Sequence, residues 1–356
     1  EALTPDQPTT WCARLRIVGA LDVTRLEQAL NGVVARHGML RTQILADQRP
    51  IMQRELASVP PLRIAVEDLS PQIAAGADAS ALVEARWQAE RARRFALSEW
   101  PLLRLRVLSL GEREHVLLIA AHHIIGDGWS GLLFGQELLH LYDALMRRTT
   151  PELPLVRSSF REYVAALASQ QDTEAAERFW RAQFAEPYRA PTQWRKPSHS
   201  TSPMVQASVL VEAETLARLR RFAAQHATTL YVLLLGLFAR AVRRLAACDD
   251  VVIGTALAGR DLPLPDIERL FGCCATALPL RVRGQLGDLQ SDLRQVGDAF
   301  AQAFQHALPP GQIARLLPPQ TSALTVTGAQ FFFTFVDLDA LGPLQSDLLQ
   351  VSWDDS

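Results

Sequence analysis

The sequence predicts an α/β (α+β) protein made of two lobes of similar size. Three observations carry that reading. The chain has 356 residues, enough for two compact units, since single cores stop growing at about 250–300 residues. Segments of helical and of strand-like apolar spacing alternate in both halves. Between the halves lies an aperiodic stretch, Glu186 to Pro203, that collects four prolines. Residues 1–170 are therefore expected to form the N-terminal lobe, 171–203 a connecting helix and linker, and 204–356 the C-terminal lobe.

Leu21 to Ala35 places Leu26, Leu30, Val33 and Val34 at helical spacing. Ala79 to Arg94 is a second amphipathic helix, rich in Arg and Glu. Leu102 to Leu108 alternates as a half-buried strand does, and Val116 to Ala121 is continuously apolar, as suits a central strand buried on both faces. A helix follows over Leu132 to Met146; its apolar residues read as core, and Arg147 and Arg148 as a solvated end that complements the helix dipole. Phe160 to Ala185 reads as one or two helices ending near Pro187. After the linker come strand Val205 to Val211, helices Ala213 to Gln225 and Leu230 to Leu245, strand Val251 to Ala256, and the β-prone run Phe331 to Val336.

A formal net charge of -2 supplies no basic field for nucleic acid. Lys196 is the only lysine, and that bias toward Arg identifies no partner. The four cysteines, Cys12, Cys248, Cys273 and Cys274, show no Cys-x-x-Cys spacing, and neighbouring Cys273 and Cys274 would bridge only with strain. No signal peptide opens the chain and no apolar run suffices to span a bilayer. The expectation is a reduced, cytoplasmic setting with neither nucleic acid nor membrane as partner.

The densest chemistry lies in Ala121 to Ser130, where a strand turns into a helix. Such junctions expose reactive groups because the backbone leaves the packed layer. Successive side chains on a strand point to opposite faces, so only one of His122 and His123 can face a given cavity. Histidine suits proton transfer near neutrality. Asp127 lies where it could hold an imidazole or bind an arginine, and Gly128 lets a backbone N–H approach a reacting oxygen. These are the parts that acyl transfer needs. A facial metal triad competes, weakened by the divergence of the two histidines, as does a purely structural histidine pair. A serine hydrolase finds no support, because no Gly-x-Ser-x-Gly occurs and Ser130 lies on the wrong side of the motif.

The pattern His122-His123-x-x-x-Asp127-Gly128 resembles the signature of nonribosomal peptide synthetase condensation domains, which belong to the chloramphenicol-acetyltransferase-like superfamily. Arg36-His37-Gly38-Met39-Leu40-Arg41-Thr42 is similar to the family's Arg-His-Glu-x-Leu-Arg-Thr, with Gly38 in place of Glu. Pro101 to Arg104, the pair Phe179-Trp180, Asp250 to Thr255, Ala258-Gly259-Arg260 and Leu278 to Arg281 resemble further family blocks. His306 to Gln312 is similar to a later His-x-x-x-Pro-Phe-Glu, although Pro310-Gly311 stands where Phe-Glu would be. The resemblance runs from about Leu15 to Val336.

It implies two acetyltransferase-like lobes in a V-shaped pseudo-dimer with a central tunnel. Carrier proteins would deliver a donor acyl thioester and an acceptor aminoacyl thioester, and the amine would take the acyl group as an amide. His123 would be the catalytic histidine with His122 its neighbour, and the Gly128 N–H would face the oxyanion. Asp127 would pair with Arg260, pinning the motif loop against the second lobe. Trp129, Cys273, Cys274 and Thr276 are the candidate tunnel residues, and no metal is expected. No cofactor would be permanently bound, since substrates arrive on phosphopantetheine arms or as acyl-CoA. The implied partners are peptidyl or acyl carrier proteins and an adjacent adenylation domain, with the chain a monomeric part of a larger multimodular protein.

Where the family reads Gly-Phe-Phe-Val-Asn-Thr, this chain has Gly272-Cys273-Cys274-Ala275-Thr276-Ala277. Compensated repacking is the first reading of that loss of bulk; a donor side widened for a long acyl chain would suit a starter domain, and an exposed thiol pair is a third reading, set against the usual burial of free Cys. The chain also begins after the family's Ser-x-x-Gln motif and ends before its last strands: either segments lie outside this sequence, or the domain is an excised or degenerate copy. Three other functions fit less well. The Ala258-Gly259-Arg260 block argues against a stand-alone ester-forming acyl-CoA transferase, and intact His123 against a non-catalytic recruitment domain. Cyclisation domains replace both histidines with aspartate.

Overall fold

The computed structural model describes residues 9–45, 47–48, 51–170, 173–191, 207–326, 329–336 and 342–354. The chain divides into two compact units. One comprises Glu1–Ala168, Gly259–Cys274 and Val336–Ser356, the other Ser169–Ala258 and Ala275–Phe335. This corrects the expected cut of 1–170, 171–203 and 204–356: two segments from the C-terminal half return to the first unit, and the described residues of the connecting region, 173–191, belong to the second. Residues 192–203 of the expected linker lie outside the described residues.

In the first unit, β1 (Thr10–Val18) leads into α1 (Val23–Arg36). The Asp22 side chain caps α1 by accepting the Arg25 N–H, and Leu26, Leu30, Val33 and Val34 form its buried stripe. A hairpin of β2 (Thr42–Leu45) and β3 (Met52–Glu55) follows, then β4 (Ala65–Asp68), α2 (Ser70–Ala74) and α3 (Ala79–Ala92). Next come β5 (Leu103–Ser109), β6 (Glu114–His122), α4 (Gly128–Arg147) and α5 (Phe160–Gln170). The C-terminal strand β10 (Gln350–Trp353) completes a five-stranded sheet of order β10-β1-β6-β5-β4.

Strand β6 is central and antiparallel to both neighbours. Its Leu117, Ile119 and Ala121 join a core with residues of α1 and α4, while Val116 and Leu118 pack on the opposite face with Leu69 and Val83. Burial on both faces accounts for its unbroken apolar run.

Helix α4 starts at Gly128, a full turn before the expected Leu132, because the Asp127 carboxylate accepts the Ser130 N–H and caps it. Most of its apolar residues are core. At its end Arg148 takes the left-handed C-cap (φ 58) and Arg147 pairs with Asp347 at 2.9 Å.

The second unit contains α6 (Thr173–Gln183), α7 (Ala213–Gln225), α8 (Leu230–Ala246), β7 (Asp250–Leu257), β8 (Thr276–Arg283), α9 (Leu289–Gln305), α10 (Pro310–Leu316), α11 (Pro319–Thr325) and β9 (Phe331–Phe333). Its three-stranded sheet has the order β8-β7-β9, with β7 antiparallel to β8 and parallel to β9. Trp180 of α6 lies in the core and donates its indole N–H to the His306 carbonyl at 2.7 Å, while Phe179 stacks on His306. Arg281 of β8 grips both carboxylate oxygens of Asp250 and the carbonyls of Gln183 and Glu186.

Two expected strands fall short. Residues 205–206 lie outside the described residues, and 207–211 form no strand: Val209 and Leu210 are 88% and 93% exposed. Strand propensity acts only where a neighbour supplies pairing and packing. The run Phe331 to Val336 is strand only to Phe333, the extent of its register with Ile253–Thr255 of β7. Among the described residues no single helix is long and apolar enough to cross a membrane.

Candidate active site

His122 ends β6, His123 opens the turn after it, and the two sit in opposite environments. His122 is buried, and its Nδ1 accepts the Ile124 N–H at 3.1 Å. Its Nε2 therefore carries the ring proton and donates to Thr9 Oγ1 at 2.7 Å. With both ring nitrogens engaged, His122 keeps no lone pair for a metal or a substrate proton. The metal-triad alternative fails on that geometry, and among the described residues no group of three His, Cys, Asp or Glu forms a metal site. His123 has an exposed side chain on a fixed backbone, its N–H donating to the Thr9 carbonyl at 2.7 Å. The Cys273 Sγ stands 3.9 Å from its Nδ1.

Asp127 does not hold an imidazole. Its Oδ2 accepts from Arg260 Nη1 at 2.8 Å and from the Cys274 N–H at 3.0 Å. Its Oδ1 accepts from Arg260 Nη2 at 3.0 Å and from the Ser130 N–H and hydroxyl at 2.9 Å each. Arg260 Nη2 also reaches the carbonyls of Leu270 and Gly272. Arg260 lies in Gly259–Cys274 and so within the first unit; the expectation that it anchors the loop to the second lobe is corrected.

Gly259 makes the close approach possible. At φ +65 it runs against the Cys274 carbonyl oxygen, with which a Cβ would collide. Gly128 meets no such demand: nothing lies within 4 Å of where its Cβ would be. Its N–H, at the first position of α4, is one of those with no intrahelical partner.

The remaining candidates separate. Trp129 donates its indole N–H to the Glu268 carbonyl at 2.7 Å and lies beneath the Arg260 guanidinium, which makes it a brace. Cys273 flanks His123, whereas Cys274 is buried and takes part through its backbone. Burial, with the nearby Asp127 charge, pushes the Cys273 thiol up to about 11 and the Cys274 thiol up to about 12, so both stay protonated at neutral pH. Thr276 belongs to the second unit, opening β8 opposite Leu257.

Sequence reasoning weighed Ser130 only as a nucleophile and missed its structural part. Fully buried, its hydroxyl joins Asp127 to the backbone N–H and carbonyl of Gly272. The Asp-x-x-Ser spacing at a helix start was the available signal. It also missed Glu55. A Cβ on Gly38 would strike the Glu55 carboxylate, which pairs with Arg41 at 2.9 Å. Glu55 thus occupies the space that a side chain at position 38 would need.

His123 is thus exposed on a loop clasped through Asp127, at the N-terminal end of α4, in a two-unit mixed α/β chain. The chain belongs to the Condensation domain family, which matches residues 8–345; condensation domains are acyltransferases that form amide bonds. It is 30% identical over 277 residues to a linear gramicidin synthase of Brevibacillus parabrevis, covering 75% of this chain and 4% of that one. The chain thus spans a small fraction of the length of the curated relatives it matches. The first condensation domain of the CDA synthetase shares the fold, with a TM-score of 0.77 at 19% identity, over 97% of this chain and 81% of that one. The starter condensation domain of rhizomide synthetase, solved as a mutant with C8-CoA and Leu-SNAC, has a TM-score of 0.72 at 23% identity, over 90% and 72%.

Proposed function

We propose that the chain joins a donor acyl thioester to the amine of a carrier-bound amino acid, with His123 as the group that receives or positions the amine proton. The observation that carries this reading is the asymmetry of the histidine pair: His122 is locked by two hydrogen bonds, while His123 is exposed. In the reaction the amine nitrogen attacks the thioester carbonyl carbon and a C–N bond forms. The Gly128 N–H donates to the oxyanion that develops on the carbonyl oxygen. The C–S bond then breaks, and the leaving thiolate takes the proton that His123 removed from the amine. Asp127 and Arg260 hold the loop and touch no reacting atom.

The substrates are phosphopantetheine-bound on the acceptor side, and on the donor side carrier-bound or a fatty acyl-CoA. The partners are carrier proteins and an adenylation domain, in a cytoplasmic setting. Likeness to a starter domain solved with C8-CoA supports an acyl-initiating role. The test supplies aminoacyl carrier protein with either octanoyl-CoA or a loaded upstream carrier and weighs the products. Amide product from either donor, lost in His123→Ala, is expected. No product from any donor, or full turnover in His123→Ala, overturns the reading.

A further inference from the structure

We propose that the Cys273 thiol is the positioning partner of His123: its sulfur accepts the Nδ1–H and so leaves Nε2 unprotonated toward the substrate amine. This rests on the reading of His123 as proton acceptor. A catalytic imidazole needs something to fix which nitrogen carries its proton, and that is set by the hydrogen bond the other nitrogen makes. Asp127 cannot serve, because Arg260, Ser130 and the Cys274 N–H already claim both of its oxygens. The group that stands at Nδ1 is Cys273 Sγ, at 3.9 Å, where sulfur is a weak acceptor or its S–H a weak donor according to the His123 tautomer; in the proposed tautomer it accepts.

Cys273 is held there from both sides. The Gly272 N–H donates to Ser130 Oγ at 3.1 Å, and the Cys274 N–H to Asp127 at 3.0 Å. The clasp around Asp127 therefore orients His123 indirectly, by fixing the residue beside it. A protonated thiol neither competes as a nucleophile nor forms an ion pair with an imidazolium. It orients the ring without stabilising its charge, so His123 holds the proton only while C–N bond formation proceeds.

One consequence is directly observable: adjacent histidines hold opposite tautomers, Nε2–H at His122 and Nδ1–H at His123. The experiment records two-bond nitrogen–proton correlations in the folded full chain carrying 15N-histidine, with His123→Ala identifying the His123 signals. The parent should show the Nδ1–H form at His123. Cys273→Ala should move it to Nε2–H and leave His122 unchanged, and Cys273→Ser should recover the Nδ1–H form. Turnover in Cys273→Ala should show kcat lowered about two- to threefold with KM little changed, at the low end of what a neutral hydrogen bond is worth because sulfur accepts weakly. A parent His123 in the Nε2–H form overturns the proposal, as does Cys273→Ala with an unaltered tautomer. These readings need no activity, so they stand apart from the His123→Ala assay that tests the function itself.

Discussion

Arg260 grips both carboxylate oxygens of Asp127, at 2.8 and 3.0 Å, across a separation of 133 residues. Both side chains are almost wholly buried, 6% and 2% exposed. Removing either partner leaves an uncompensated charge, which costs about 3–5 kcal/mol. Asp127→Ala also deletes the cap of α4, worth about 1 kcal/mol. Thermal unfolding should therefore fall steeply in Asp127→Ala and Arg260→Ala. An inactive Asp127→Ala with the parent's melting temperature would show that the carboxylate acts in the chemistry instead.

The histidines should separate stability from activity. His122→Ala strips partners from the Ile124 N–H and the Thr9 hydroxyl, at a cost of about 1–3 kcal/mol. His123→Ala should melt within about 0.5 kcal/mol of the parent, as exposed substitutions do, and make no product. Equal melting temperatures for the two variants would contradict this division.

Gly259→Ala should be among the most damaging small changes in the first unit. The substitution meets a positive φ and the Cys274 carbonyl at once. The left-handed conformation alone costs about 1–2 kcal/mol, and the collision adds to it. Denaturant titration of soluble protein checks this; a midpoint like that of the parent would mean the backbone moves aside at little cost.

Position 38 and Glu55 should be coupled. Gly38→Glu puts a second carboxylate where that of Glu55 lies; the half-exposed Glu55 can swing aside, so the expected loss is that of its pair with Arg41 and the repulsion of the two carboxylates, about 1 kcal/mol or less. Glu55→Ala in the same background should recover most of the loss, by pairing the new carboxylate with Arg41. A double-mutant cycle should show a coupling of about 0.5–1 kcal/mol. An additive cycle would mean the two positions do not share the space.

Alkaline pH should loosen the first unit. Burial raises the Cys273 and Cys274 thiols above their ordinary value of 9.0, to about 11 and about 12. The folded state then holds protons that the unfolded state releases, so this contribution is complete below pH 9 and is lost as pH rises toward 11–12. Comparing melting temperatures across that window with Cys273→Ser/Cys274→Ala should show a flatter decline in the variant. Parallel curves would exclude the thiols as the cause.

The motif was legible because its residues are contiguous: an apolar strand, two histidines and a turn can be read locally. Arg260 came into view only through family resemblance, since no local pattern joins residues 133 apart. Strand β1 was missed although Trp11, Ala13, Leu15 and Ile17 alternate cleanly with Thr10, Cys12, Arg14 and Arg16. The return of residues 259–274 to the first unit was invisible because its contacts, among them the Asp127–Arg260 pair, Trp129 with Glu268, Arg157 with Asp266 and Phe271 in the core, all join residues far apart in the chain. Glu55 was hidden for a related reason: a glycine advertises missing bulk but not which side chain fills the space.

The clasp on Asp127 also orders events during synthesis. Translation delivers the motif loop long before it delivers Arg260, and α6, α7, α8 and β7 emerge in between. Until then Asp127 lacks the Arg260 guanidinium, and the segment that places Cys273 beside His123 has not been made. A ribosome-bound chain stopped after residue 258 would therefore hold the histidines without their setting. The unit that holds the histidine motif is also the one completed last, by β10.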